Sequence, residues 1–233
     1  MNRPSPAAFP AKALSALAAL ALAGCTMLPG SQARDGGDQS QQGTAPRAAD
    51  AALARQCLAE LGGMSASFTP VPDRYPAPGC SVVGTVQLRD LAGDTRRLGV
   101  SNLGPVTCEL GQAFAAWARY GADRAARQIL GQGLRSIETM GSYSCRDVAG
   151  TGRRSAHATA AAIDVGGFVL EDGRRITVQG GWDGVSEAER RFLRTVHQSA
   201  CRRFGTVLGP DYNAAHRDHL HVEGVSEGRS YCR

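Results

Sequence analysis

No run of lysine and arginine, and no interleaving of basic with aromatic residues, occurs in the 233 residues, and the formal charge is only +5. Nucleic-acid binding is therefore not the class to pursue, and so mild a basicity selects no other partner. None of the seven cysteines stands in a C-x-x-C pair, which argues against a cysteine zinc site. No internal repeat is visible. The one marked apolar run, "ALSALAALALAG", is too short for a comfortable membrane span. Residues 26–49, "TMLPGSQARDGGDQSQQGTAPRAA", are nearly empty of large apolar side chains, so they cannot bury enough surface to offset their ordering entropy.

What remains is informative. Hydrophobic residues make up 42% of the chain, a globular composition, and removing the first fifty positions leaves about 180 residues, the size of one ordinary domain. Arg3 and Lys12 precede the apolar run, and small residues close it before Cys25. That is the layout of an export signal over residues 1–24. Its loss would remove both basic residues and lower the formal charge to +3. "LAGC" resembles the lipobox of bacterial lipoproteins. The resemblance implies cleavage before Cys25 and acylation of that residue, with several acyl chains making the anchoring stable. Thr26, where an Asp would signal retention, resembles the pattern sent to the outer membrane. An uncleaved anchor, or a plain signal ending near Ala23, is the alternative. Residues 25–49 would then form a tether of roughly 25 to 30 Å, ahead of a domain at residues 50–233.

The cysteines agree with export. Without Cys25 there remain Cys57, Cys80, Cys108, Cys145, Cys201 and Cys232, an even number suited to an oxidising compartment. Six cysteines allow fifteen pairings. The expected set is sequential: Cys57 with Cys80, Cys108 with Cys145, and Cys201 with Cys232.

Along the domain, "DAALARQCLAELGG" reads as a helix stopped by Gly62 and Gly63. "TPVPDRYPAPGC" is too broken by proline for regular structure, while "CSVVGTVQLRDL" has strand character. From Glu109 to Leu130, Leu110, Phe114, Trp117 and Gly121 share a helical face, with Trp117 expected in the core. "LRSIETMGSYSC", with Gly141 near its end, and "AAAIDVGGFVL" read as strands, and "RRITV" pairs with the second across Glu171–Gly173. A further helix starts at Ser186, where Ser186 and Glu189 form a capping-box pattern ahead of Phe192, Leu193, Val196, Ala200 and Phe204. His197 beside that stripe reads as a packed or surface residue and not a ligand. The expected class is α+β, helices packed on a small antiparallel sheet, and the chain is expected to act as a monomer.

Three of the five histidines, His216, His219 and His221, fall in "NAAHRDHLHVEG". In a strand, residues two apart share a face, so His219, His221 and Glu223 would project together while Leu220 and Val222 pack behind. Two imidazoles and a carboxylate on one face are costly to desolvate without a shared partner, and a metal ion is the commonest one. Upstream, "SAHATAAAID" carries His157 and Asp164. An Asp inside an apolar run needs a counter-charge, either an arginine or a metal. His157, Asp164 and one further His would supply three ligands and leave a fourth position open, the arrangement of a catalytic zinc site.

"SAHATAAAID" followed by "HLH" resembles the S-x-H-x-x-G-x-A-x-D and H-x-H motifs of zinc peptidases that include D-alanyl-D-alanine peptidases, lysostaphin-type endopeptidases and the hedgehog signalling domain. The triple His216, His219, His221 also resembles the penicillin-insensitive murein endopeptidases. "GSYSCR", "VLGPDYNAAH" and "YCR" make most of the domain similar to the bacterial family named for an extensin-like C-terminal domain. The resemblance implies a hedgehog/DD-peptidase-like fold, Zn2+ held by His157, Asp164 and His221, and His219 acting on water or on the transition state. His216 would support the site, and Arg146 would hold a substrate carboxylate or the developing oxyanion, unless it serves a structural salt bridge. The motif's Gly is Ala160 here, which puts a Gly-favouring backbone conformation in question. Trp182 could floor the groove or merely cover the core.

The expectation is an outer-membrane lipoprotein facing the periplasm that hydrolyses amide bonds of peptidoglycan, in stem peptides or cross-links. Two other readings stand beside it. One is a zinc-containing but inactive wall-binding module, which Ala160 would favour. The other is a structural envelope lipoprotein whose histidines scavenge metal. The sequence does not distinguish D,D from L,D linkages, or internal from terminal cuts.

Overall fold

The computed structural model describes residues 48–233; the leader, Cys25 and nearly all of the tether lie outside the described residues. Helix α1 spans Ala48–Gly63 and is followed by strands β1 (Ser67–Pro70), β2 (Arg74–Ala77), β3 (Cys80–Val82), β4 (Thr85–Ala92), β5 (Arg97–Ser101) and β6 (Val106–Thr107). A continuous helical run then contains α2 (Cys108–Trp117), a π-helical turn (Ala118–Asp123) and α3 (Arg124–Leu130). After it come β7 (Leu134–Gly141), a 3-10 turn (Ala156–Thr159), β8 (Ala162–Leu170), β9 (Arg175–Thr177), α4 (Val178–Gly181) and α5 (Glu187–Ala200). The chain closes with β10 (Thr206–Leu208), a 3-10 turn (Ala214–His216), β11 (Leu220–Glu223) and β12 (Tyr231–Cys232).

The class is α+β, as expected, but the sheet is neither small nor wholly antiparallel. Ten strands join in one sheet whose main path runs β1-β4-β5-β7-β8-β11-β10-β12, with β2 and β3 forming a separate ribbon. Two pairs are parallel, β5 with β7 and β10 with β12. The first follows from the helical run between them, because only a long crossover returns the chain in the same direction.

The proline-broken passage does form strands, contrary to expectation. Pro70 ends β1, the edge strand of the sheet, and Pro76 lies in the two-stranded ribbon, positions where a missing N–H is tolerated. The strand expected over "CSVVGTVQLRDL" is split at Gly84, whose φ of 59° turns the chain between β3 and β4.

The expected helical faces are buried. Trp117 lies at the centre, its ring centroid 5.6 Å from Phe114, 6.1 Å from Phe204 and 6.2 Å from Phe168. Its Nε1–H donates to the Val196 carbonyl at 3.2 Å, so the one polar atom brought inside is satisfied. Gly121 permits the contact between this run and α5: a Cβ there would stand 2.5 Å from Ser199 Oγ. Ser186 caps α5 by accepting the Glu189 N–H at 3.3 Å, and Phe192, Leu193, Val196, Ala200 and Phe204 are all fully buried. The fully buried Asp123 has its bonds filled, accepting from Leu134 N at 2.8 Å and Asp94 N at 2.9 Å beside Arg127.

Three disulfides form, and two pairings differ from the sequential expectation. Cys57 bonds Cys108, tying α1 to the start of α2, and Cys80 bonds Cys145, tying the β2–β3 ribbon to the loop after β7. Only Cys201–Cys232 is as expected. Nearness along the chain misleads here because the fold places the partners 51 and 65 residues apart side by side. Among the described residues, no helix is long and apolar enough to cross a membrane.

Candidate metal centre

Strands β8 and β11 lie side by side and antiparallel, with Asp164 directly opposite His221. Cross-strand neighbours have Cβ atoms about 5 Å apart, so the two side chains meet without distortion. Leu220 and Val222 are fully buried, and His221 and Glu223 project from the other face, as the alternation demands. His157 enters from the 3-10 turn before β8. That turn is capped by Ser155, whose side chain accepts the His157 N–H.

The orientation of each ring is fixed from behind. His157 Nδ1 is 2.9 Å from the Ser142 carbonyl, an obligate acceptor, so Nδ1 carries the proton and Nε2 presents a lone pair. That lone pair lies 3.2 Å from Asp164 Oδ2 and 3.2 Å from His221 Nδ1. His221 Nδ1 is 2.9 Å from Asp164 Oδ1, while its Nε2 faces Glu223 Oε2 at 3.2 Å. A lone pair and a carboxylate oxygen 3.2 Å apart repel unless a proton or a metal ion lies among them. A tetrahedral zinc with bonds of 2.0–2.1 Å has ligand–ligand edges of about 3.3 Å. Two contacts in the His157, Asp164 and His221 set, at 3.2 Å, lie close to that edge, the third is shorter at 2.9 Å, and the two imidazoles meet different oxygens of the carboxylate; these three residues converge as a candidate metal group. The donor set of two imidazoles and one carboxylate therefore fits zinc. Asp164 is paired with histidines and not with an arginine.

Electrostatics agree with a shared charge at this point. Burial alone would raise the Asp164 carboxyl, but the adjoining rings of His157, His221 and His219 hold it far below the usual carboxylate range. Burial would likewise lower His221, yet its bonds to Asp164 and Glu223 outweigh that and raise it to about 9. Glu223 is lowered, chiefly by its bond with His221.

His219 precedes β11 and stands outside the triad. Its Nδ1 is bound to Asp218 Oδ1 at 2.8 Å, which turns Nε2 toward Asp164 Oδ1, 3.5 Å away. His216 sits further out, with Nδ1 on Asn213 Oδ1 at 2.8 Å and its ring 5.2 Å from that of His219. Burial, then the charges of His219 and His221, lower His216 to about 4. All of these line a cleft of about 680 Å³. Arg146 and Arg153 line it as well, as do the half-exposed rings of Tyr212 and Tyr231, 6.3 Å apart. Arg146 thus belongs to the cleft, and it forms no salt bridge among the described residues. Trp182 is not part of this cleft. It is buried beside His197, with Arg194 stacked on it at 4.0 Å and its Nε1 donating to Asp211 Oδ1 at 2.9 Å. The other convergence of metal-binding atoms, His197 with Cys201 and Cys232, has both sulfurs committed to a disulfide.

Asp218, Asn213 and Ser142 were given no role by the sequence. The first two are local partners of a histidine one and three positions away, a spacing that could have drawn attention to them. The third acts through a backbone carbonyl and carries no side-chain signal at all.

Ala160, in the place of the motif's Gly, takes the left-handed conformation all the same, with φ 55° and ψ 25°. Its carbonyl accepts Thr107 N–H at 3.0 Å and its N–H donates to His157 O at 3.2 Å, so the turn that presents His157 is held at both ends. The conformation costs an L-residue about 1–2 kcal/mol, part of which glycine would return as unfolded-chain entropy. Ala160→Gly should therefore raise the unfolding free energy by up to about 1 kcal/mol and leave zinc content unchanged. A drop in the denaturation midpoint would show that the Ala160 methyl matters more than the strain.

Neither a curated protein nor a solved structure matches the chain. A family model does, over residues 55–233, which takes in every ligand candidate, the three disulfides and the whole sheet. The chain belongs to the family described as Extensin-like protein C-terminus.

Proposed function

We propose that this domain is a zinc-dependent hydrolase of amide bonds in peptidoglycan, acting on stem peptides or cross-links from an outer-membrane anchor at Cys25. The observation that carries the reading is the convergence of His157 Nε2, the Asp164 carboxylate and His221 Nδ1 at 2.9 to 3.2 Å from one another, in a cleft that His219 also lines. Zinc held there would supply Lewis acidity, which acidifies water and polarises a carbonyl. The chain's own residues supply the rest. His219 takes a proton from the attacking water at Nε2 and returns it to the leaving amine, held in its tautomer by Asp218. Arg146 lines the cleft where it can hold the oxygen that becomes negative, and His216, neutral with Nδ1 on Asn213, packs beside His219. Ser142 and Glu223 fix the rings of His157 and His221.

The resemblance of the motifs to zinc peptidases of the D-alanyl-D-alanine peptidase, lysostaphin and hedgehog group supports the reaction. Three disulfides support an oxidising compartment, where the wall is the abundant peptide polymer. The rival reading, an inactive wall-binding module, drew on Ala160; that residue does take the left-handed conformation, which supports an intact turn before β8. The test is to incubate zinc-loaded protein with purified cross-linked wall fragments and weigh the products. Cleavage at one amide type is expected, with paired products whose masses add up to the substrate plus the water consumed, while full zinc loading with no product from any preparation would leave only binding. Fatty-acid label on wild type, absent in Cys25→Ser, checks the anchor.

A further inference from the structure

The cleft continues past the metal group along a run of rings. From His221 the ring of His216 is 5.8 Å away, Tyr212 is 5.4 Å from His216, and Tyr231 is 6.3 Å from Tyr212. Both tyrosines line the cleft, 40% and 49% exposed, with their ring planes at 90°. Rings at right angles form a corner, one wall for the flat face of a ligand ring and the other for its edge. A tyrosine left half in water within a cleft offers apolar area and a polar tip to a ligand, where a core position would bury both.

Each ring is held from behind. Strand β12 is laid along β10 by Tyr231 N–H donating to Gly205 O at 2.8 Å and Arg233 N–H donating to Val207 O at 2.9 Å, and Cys201–Cys232 fastens it just past α5. Tyr212 follows Asp211, which is gripped by Arg194 and by the Trp182 Nε1–H. The corner therefore exists before a ligand arrives, which lowers the ordering cost of binding.

On β10, β12 and the loop that carries Tyr212, the side chains lining the cleft are Thr206, Leu208, Tyr212, Asn213 and Tyr231, all uncharged. The cleft's arginines, Arg146 and Arg153, belong instead to a short hairpin closed by the Asp147–Arg154 bridge, and its carboxylates, Asp164 and Glu223, to the metal group. Arg233 stacks on Tyr231 at 5.1 Å but does not line the cleft. Asn213 spends Oδ1 on the Ala215 N–H and on His216, and keeps Nδ2 as an unspent donor among the described residues. An aromatic corner edged by neutral hydroxyl and amide groups suits a ligand whose faces are C–H and whose rim is hydroxyl. That is a pyranose ring. A purely apolar group would cover the rings and leave the polar edge unpaired, at a cost in desolvation.

We propose that Tyr212 and Tyr231, with Thr206 and Asn213, form a saccharide subsite, so that the cleft takes its peptide with a sugar of the glycan still attached. The inference deepens the reading above by adding the glycan to the substrate, and it rests on that reading for the choice of a wall glycan but not for the binding itself.

The binding probe is tri-N-acetylchitotriose, titrated by calorimetry into the full chain with the metal chelated and again with zinc. Saturable binding is expected in both states, because the tyrosines are outside the ligand triad. Tyr231→Ala and Tyr212→Ala should each weaken it by about three to ten-fold. Tyr231→Phe should keep most of the affinity, while Tyr231→Leu, apolar but without a ring, should fail as the alanine variant does. Turnover is assayed separately, on cross-linked muropeptides bearing their disaccharide and on the same peptides with the sugar removed. The sugar should lower KM by a similar factor with kcat unchanged, and Tyr231→Ala should erase that difference by raising KM for the sugar-bearing substrate alone. No binding of the probe by wild type, or Tyr231→Leu binding it as well as wild type, overturns the subsite and leaves the hydrolase reading untouched. Probe binding with turnover of neither substrate overturns the hydrolase reading and leaves the subsite standing.

Discussion

His219→Ala should keep close to one zinc per chain and lose about a hundred to ten thousand-fold in turnover of wall peptides, the range typical of a positioned acid–base group. The expectation rests on where the ring sits. The triad of His157, Asp164 and His221 is complete without it, so removal leaves three protein ligands. Nε2 of His219 is 3.5 Å from Asp164 Oδ1, beside the metal group and not within it, and Asp218 fixes the other nitrogen at 2.8 Å. Asp218→Asn should cost less, about ten to a hundred-fold, because it disturbs the tautomer and not the reacting nitrogen. The two variants should lower kcat far more than they raise KM, and neither should change affinity for intact wall. A His219→Ala protein as active as wild type would move the proton-handling role to His216 or Glu223. Loss of zinc from the variant would instead place His219 among the ligands.

The parts of this site that were legible in sequence are those whose spacing matches a structural period. H-x-H on a strand puts its second histidine and Glu223 on one face because the side-chain period is two. The capping pattern at Ser186 and the apolar stripe of α5 follow from the helical period and are realised without change. What failed depended on contacts between distant segments. The disulfide partners of Cys57 and Cys80 are set by how α1 and the β2–β3 ribbon dock, which no local pattern encodes. The parallel pairing of β5 with β7 is a property of the crossover and not of either strand. Proline proved a poor veto in "TPVPDRYPAPGC" because the strands it interrupts lack a neighbour on one side. Trp182 was ambiguous for a related reason: a loop tryptophan has no period, and only the position of His197 and Arg194 shows that it closes the core. The hairpin that carries Arg146 and Arg153 was invisible, its ladder being too short and its sequence "RDVAGTGRRS" too polar to alternate.

Metal-free and zinc-loaded protein should respond to pH in different ways, and the difference reports on His221 directly. Without metal, the folded-state value of about 9 stands above the ordinary 6.5. A raised value means that the stability it contributes is fully present below about pH 6.5 and is lost as pH rises through about 9. The loss should approach 1.4 kcal/mol per pH unit in that window, on the order of 3 kcal/mol in all. The other shifted groups of the site do not interfere, since His216 titrates near 4 and Asp164 and Glu223 are lowered. Zinc held by His221 Nδ1 would take the place of that proton, so a loaded protein would have no proton to lose there and its stability should stay nearly level across the same window. The gap between the two curves should therefore widen as pH rises, with tenfold tighter zinc binding for each unit. Denaturant unfolding from pH 6.5 to 9, with chelator and with zinc, measures both curves. His157→Ala, Asp164→Ala and His221→Ala should each close the gap by losing the metal, and His221→Ala should also flatten the metal-free curve. Parallel curves for wild type, or a full zinc complement in all three variants, would remove His221 and its partners from the metal centre.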